Sequence, residues 1–235
     1  MNKLVQLTRA FALGSLLLFT CAERGLAACG DDVDGARVPC RCGDVVVSDT
    51  RLQPGDPVVG NRCASDGLFV RARAGAESIR LDLGGLSLLG SGHGTGIRII
   101  EGGKLGATIV GGDGSQRGEV VGFGTGFRAR GQRSVRELRN VSFTANVRDG
   151  AVLRGASTDV VGVQAERNGG DGLHVGGREP RIDDVQTQQN GGSGLHVTSR
   201  GARVGTAASA GNSGAQMRIN RQAVTAAGAA EESGR

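Results

Sequence analysis

Asparagine stands at positions 146, 168, 190 and 212, an interval of 22 residues held three times. Two more series keep that interval in other phases: Val141, Val163, Val185 and Ala207, and Phe143, Ala165, Thr187 and Ser209. Such ladders belong to a chain that returns to the same place once per repeat. Within each copy the apolar residues alternate and show no helical spacing. In Gly172-Leu173-His174-Val175 and its copy Gly194-Leu195-His196-Val197, a period of two puts leucine and valine on one face and histidine on the other. Asparagine and glycine between these stretches favour the left-handed backbone that sharp bends need. The pattern predicts an all-β parallel β-helix in which each copy is one rung.

Looser copies start at Gly67, Gly96 and Gly126, and tight ones at Gly150, Gly172, Gly194 and Gly214, about seven rungs in all. The expected interior column is Leu68, Ile97, Phe127, Ala151, Leu173, Leu195 and Ala215. The asparagines are expected to form an internal ladder of amides bonded from rung to rung. The chain has 43 glycines, six phenylalanines and no tryptophan or tyrosine. Its core must therefore come from small and aliphatic residues in register, because the large aromatics of ordinary cores are scarce. The glycine content also argues against a helical-repeat solenoid.

The N-terminus has the pattern of a secretory signal: basic Lys3 and Arg9, an apolar run over Ala10–Ala22, and small residues at Gly25 and Ala27 before cleavage. The apolar run is shorter than the roughly 20 residues a membrane helix needs. No other run is long enough. The expected organisation is a signal peptide over 1–27, a cap over 28–66, β-helix repeats over 67–222 and a flexible tail over 223–235. Cleavage removes Cys21 and leaves Cys29, Cys40, Cys42 and Cys63. An even number in an exported chain points to two disulfides. A zinc site is disfavoured by the spacing and by the lack of a nearby histidine. Loss of Lys3, Arg9, Arg24 and Glu23 takes the net charge from +5 to +3.

The segment from Cys42-Gly43-Asp44 to Asn61-Arg62-Cys63 precedes Ile79-Arg80-Leu81-Asp82-Leu83-Gly84-Gly85, Gly94-Thr95-Gly96-Ile97 and Val121-Gly122-Phe123-Gly124-Thr125-Gly126. Asn-Gly-Gly-x-Gly rungs follow. Over residues 40–217 this order resembles secreted right-handed parallel β-helix repeat proteins of the pectate-lyase-like superfamily. The resemblance implies a right-handed coil with a disulfide-linked N-terminal cap. Within that cap it implies Cys42–Cys63, with Cys29–Cys40 as the remaining pair. It also implies a superfamily rich in polysaccharide lyases, hydrolases and epimerases.

The rung alignment puts Phe69, Arg98, Arg128, Val152, His174 and His196 in one outward column. Adjacent imidazoles can bind a metal, share a proton or contact an anionic sugar, although an outward strand position asks only for a polar side chain. A second column, Thr125, Asp149, Asp171, Ser193 and Ser213, sets Asp149 and Asp171 one rung apart, within reach of a bridging calcium ion. Aspartate before glycine is also ordinary bend chemistry. Asp183 and Asp184 add carboxylates on another face. Arg178-Glu179-Pro180-Arg181 resembles the arginine-proline signature of pectate lyases, with Asp183 where the second arginine belongs. The Asp-Pro-His-Glu signature of alginate epimerases is absent, as are Gly-x-Ser-x-Gly, phosphate-loop and zinc motifs.

Arg128, Arg130, Arg133, Arg136 and Arg139, opposed by Glu137, form the densest basic stretch. With Arg98 they can attract an acidic glycan. Export and the lack of stacking aromatics argue against nucleic acid. The expectation is an exported, non-catalytic surface or matrix module that contacts acidic polysaccharide through Arg98, Arg128, His174 and His196. No cofactor is required, and calcium is the candidate ion. The alternative is a polysaccharide lyase or epimerase acting on uronate-containing glycans.

Overall fold

From Asp44 onward the chain makes three short strands per coil, and equivalent strands of successive coils pair side by side. The computed structural model describes residues 28–220 and 222–224, apart from 72–75, 77, 101–105, 114–115 and 132–133. The expected signal peptide with Cys21, residues 225–235 of the expected tail, and Arg133 lie outside these residues. Three stacks result. The longest sheet has nine strands, parallel from Asp44–Val46 to Met217–Ile219 and closed by the antiparallel strand Gln222–Val224. The other two sheets have seven parallel strands each. The fold is a parallel β-helix of about seven rungs. Rungs about 4.8 Å apart set the spacing of every column.

The bends follow a rule the sequence reading did not contain. Asn140 and Asn220 are left-handed themselves, but at the four ladder asparagines the residue before is the left-handed one. Gly122, Ala145, Arg167, Gln189 and Gly211, with φ between 53° and 71°, precede Phe123 and the four asparagines. Asparagine is kept for its amide. Asn168 Oδ1 accepts from the N–H of Asn146 at 3.0 Å and from its Nδ2 at 2.9 Å. Its own Nδ2 donates to Phe143 O at 3.0 Å and to Asn190 Oδ1 at 2.9 Å. Every hydrogen-bonding position of this buried side chain is filled, as burial requires. Asn190 repeats the pattern with Asn212. The ladder starts at the Phe123 N–H, which donates to Asn146 Oδ1 at 2.9 Å. It ends where Asn212 Nδ2 donates to Gln216 Oε1 at 2.8 Å.

The interior column runs Leu68, Ile97, Phe127, Ala151, Leu173 and Leu195, as expected. Its last member is different: Leu195 pairs with Met217, and Ala215 lies outside the column. The alignment on Gly214 followed the letter, at an interval of 20; the coil kept its 22 residues and buried Met217. Ser213 leaves the aspartate column for the same reason, and Ala215 takes its place next to Gly194.

Cys29 is joined to Cys40 and Cys42 to Cys63, with Cα–Cα distances of 4.7 and 5.5 Å. Between them lies Asp56, whose side chain is 1% exposed. It accepts from Arg37 Nη1 at 2.7 Å and Nη2 at 2.8 Å, and from the N–H groups of Cys40 and Gln53. Burial alone pushes this carboxyl up, but Arg37 and the two backbone N–H groups outweigh it and hold Asp56 below the ordinary carboxylate range. No helix among the described residues is long and apolar enough to cross a membrane.

Candidate functional site

The outward column of the long sheet reads Val45, Phe69, Arg98, Arg128, Val152, His174, His196 and Arg218 in paired register. It is less open than an outward strand position suggests. Arg98 and Arg218 are exposed, Phe69, Arg128, His174 and His196 are half-buried, and Val152 is buried. Val152 therefore divides the column into an arginine end and a histidine end.

At the arginine end, Arg98, Arg128 and Arg130 line a cleft of about 420 Å³ with Phe69, Ile99 and Ile100. Arg128 Nε is enclosed and has no hydrogen-bond partner among the described residues. Burial and the nearby guanidiniums of Arg130, Arg148 and Arg98 lower the Arg128 pKa, against a smaller opposing pull from Asp149. Three guanidiniums are thus brought together at one cleft, with Asp149 close enough to oppose part of their mutual repulsion. The expected single basic stretch is split by the fold. Arg128 and Arg130 lie on the long sheet, whereas Arg136 and Arg139 belong to the next strand, in a different sheet. Arg139 is also engaged by Glu137, with Nε donating to Oε1 at 2.6 Å.

At the histidine end the rings of His174 and His196 stack, with centroids 4.5 Å apart and planes at 24°. Asp171 Oδ2 lies 2.9 Å from His196 Nδ1 and 4.0 Å from His174 Nδ1. His174 Nε2 lies 3.2 Å from Thr198 Oγ1. Burial, then His196 and then Arg154, hold His174 below the ordinary histidine range against the pull of Asp171 and Asp149. Its charge therefore arrives at lower pH than the roughly 6.5 of a free imidazole.

The aspartate column mainly serves the backbone. Asp66, Asp149 and Asp171 each use Oδ1 to accept the N–H of the equivalent residue one rung on: Thr95, Asp171 and Ser193. Asp149 and Asp171 are thus linked through backbone, and Asp171 turns its second oxygen to the imidazoles. Asp171, His174 and His196 each offer a ligand atom within 4.8 Å of the other two. Asp183 and Asp184 are exposed, and Asp183 Oδ1 accepts from the Thr206 N–H. Glu179 sits in a left-handed bend of the Arg178–Arg181 stretch.

Sequence reading missed the link from Asp171 to the histidines and the part played by Thr198. Both follow from the repeat once diagonals are considered. Asp171 lies three residues before His174 and one rung before the same offset from His196, while Thr198 is the next outward position after His196. Comparison with protein-family models, with curated proteins and with solved structures returns no match.

Proposed function

We propose that this chain is an exported β-helix module, of the pectate-lyase-like right-handed kind, that binds acidic polysaccharide without transforming it. Two disulfides support an oxidising compartment. The reading is carried by the cleft in which Arg98, Arg128 and Arg130 stand beside Phe69, Ile99 and Ile100. Guanidiniums make charge-assisted bonds to carboxylates, and the apolar surface suits the C–H face of a sugar ring. A uronate polymer presents both chemistries in each residue. Arg98 and Arg128 stand on adjacent rungs, so a chain lying across them meets charge at two successive steps.

The test is titration of a uronic acid polymer into the protein at low and high salt, with and without calcium. Binding is expected to weaken with salt. The double change Arg98→Gln and Arg128→Gln is expected to weaken it about tenfold, the equivalent of about 1.4 kcal/mol, with the fold intact. Binding that ignores both salt and the arginine pair removes the proposal. Dependence on calcium, lost on changing Asp149 to asparagine, assigns the aspartate column a ligand role. One observation favours a lyase or epimerase: His196 Nδ1 is held 2.9 Å from Asp171, as an oriented general base is held. Unsaturated uronate absorbing in the ultraviolet, or epimerised polymer, replaces the non-catalytic reading with that one.

A further inference from the structure

The histidine end of the column has a donor set that glycan contact does not explain. Three side chains from two neighbouring rungs converge: Asp171 and His174 from one, His196 from the next. We propose that Asp171, His174 and His196 bind one borderline divalent transition-metal ion, zinc being the reference case, through Asp171 Oδ2 and the Nδ1 atoms of the two rings. The inference does not depend on polysaccharide binding.

The chemistry selects the ion class. Calcium takes six to eight hard oxygen ligands, whereas this group supplies one oxygen and two imidazole nitrogens. Imidazole suits zinc, copper and nickel. Zinc held at about 2.0–2.1 Å in tetrahedral geometry spaces its ligand atoms about 3.3 Å apart. The two distances from Asp171 Oδ2 to Nδ1, 2.9 and 4.0 Å, fall on either side of that value. The rings are stacked at 24°, so both must turn out of the stack about χ2 before their Nδ1 lone pairs converge on one ion; three protein ligands then leave a fourth position open.

The surroundings already orient these atoms. Asp171 Oδ1 is fixed by the Ser193 N–H at 2.8 Å, which aims Oδ2 at the rings. Thr198 Oγ1 stands at His174 Nε2. An Nε2–H donating to that hydroxyl leaves the Nδ1 lone pair free, the outer-partner arrangement usual for metal-bound histidine. Paired rung register holds the two rings at 4.5 Å without any metal. Binding displaces the proton that His196 Nδ1 shares with Asp171; the neutral ring takes up a proton at Nε2 in exchange, so it ligates as a neutral imidazole with no net release.

The experiment uses the untagged chain, metal-stripped by dialysis and titrated with zinc under calorimetry. One equivalent per chain is expected, with an affinity that falls as pH is lowered and protons compete for the two Nδ1 atoms. Cobalt substituted at the same stoichiometry is expected to give the visible absorption of a low-coordinate site. His174→Ala, His196→Ala and Asp171→Asn are each expected to weaken binding at least about tenfold, and Thr198→Val by a smaller factor. Asp171→Asn is the most informative because asparagine Oδ1 still accepts from Ser193 while the second oxygen is gone. Should the histidine variants fail to fold, imidazole nitrogen chemical shifts of the wild-type protein, followed through a zinc titration, report the ligands directly. Absence of stoichiometric binding, unmoved Nδ1 shifts, or binding retained in Asp171→Asn overturns the site. None of these outcomes bears on the arginine cleft.

Discussion

The coils before residue 140 and those after it solve the same packing problem by different means. In the earlier coils the interior is filled by large apolar groups: Leu68, Leu81, Leu88, Ile97, Phe123 and Phe127 are all fully buried. Room for Phe123 exists because Gly90 and Gly96 lack side chains; a Cβ at Gly90 would lie 2.5 Å from the ring. In the later coils volume shrinks and amides take over. The column that runs Leu88, Val120 and Phe143 continues as Ala165, Thr187 and Ser209, and Thr187 Oγ1 donates to Ser209 Oγ at 2.8 Å. Beside it runs the asparagine ladder. Apolar filling tolerates variable coil length, because dispersion contacts are non-directional. An amide ladder does not, since each bond needs its partner one rung away within narrow limits. The strict interval of 22 is the signature of the second solution.

The most damaging change expected in the later coils is Leu195→Asp. Leu195 is buried between Leu173 and Met217, so an unpaired carboxylate would lie within the stack. A loss on the order of 5 kcal/mol is expected, read as a collapse of the urea midpoint by circular dichroism. A loss below about 1 kcal/mol means that the column faces solvent.

A matched pair of substitutions separates the two solutions. Phe127→Leu in an earlier coil keeps an apolar group and is expected to cost about 1–2 kcal/mol. Asn168→Leu has similar bulk but strands the backbone N–H of Asn146 and takes one partner each from Asn146 Nδ2, Phe143 O and Asn190 Oδ1, the last keeping the N–H of residue 168. Its expected cost is about 4 kcal/mol, from roughly 1–3 kcal/mol for the buried N–H left unpaired and about 1 kcal/mol for each further hydrogen bond lost. Equal losses in urea denaturation remove the distinction between directional and non-directional cores.

This contrast also sets what was legible in the sequence. Where amide ladders fix the interval, the columns of Val141, Phe143, Asn146 and Leu173 could be written down from spacing alone. Phe123 at the head of the ladder and Gln216 at its foot were not visible, because each replaces asparagine by a different chemistry. The final rung was misphased because Gly214 mimics the repeat two residues early. At the outward face the column order was legible, but its burial was not: alternation gives direction, and crowding by neighbouring rungs decides exposure. Hence Val152 points outward yet is buried, and His174 is a half-buried member of a cluster rather than a free surface imidazole.

The cap in front of both regions is held by charge. Asp56, depressed below the ordinary carboxylate value by Arg37 and two backbone N–H groups, contributes stability that is present above the unfolded value of about 3.9. As pH falls below that value the unfolded chain takes up the proton first, so the contribution is lost on the way to the lower folded value. Asp56→Asn is expected to cost about 3 kcal/mol at pH 7. The gap between variant and wild type should narrow below about pH 4, measured by thermal unfolding across pH. A gap unchanged down to pH 2.5 contradicts the depressed carboxyl.

The smallest expected effect comes from asking whether ladder bonds stabilise because they are amides or because they are buried. The later coils contain the control. Gln164 Nε2 donates to Gln186 Oε1 at 3.0 Å, an amide-to-amide bond between the same two rungs that Asn168 and Asn190 join inside at 2.9 Å. Geometry and spacing match; the surroundings differ, since the glutamines are half-buried with access to water and both asparagines are 1% exposed. Water can replace the lost partner outside, so Gln186→Ala is expected to cost about 0.5 kcal/mol, the low end for a solvated hydrogen bond. Asn190→Ala, which leaves buried donors and acceptors without water, is expected to cost several times more. Comparable losses for the two variants would place the stabilisation in the amide bond itself and remove burial as the reason for the ladder.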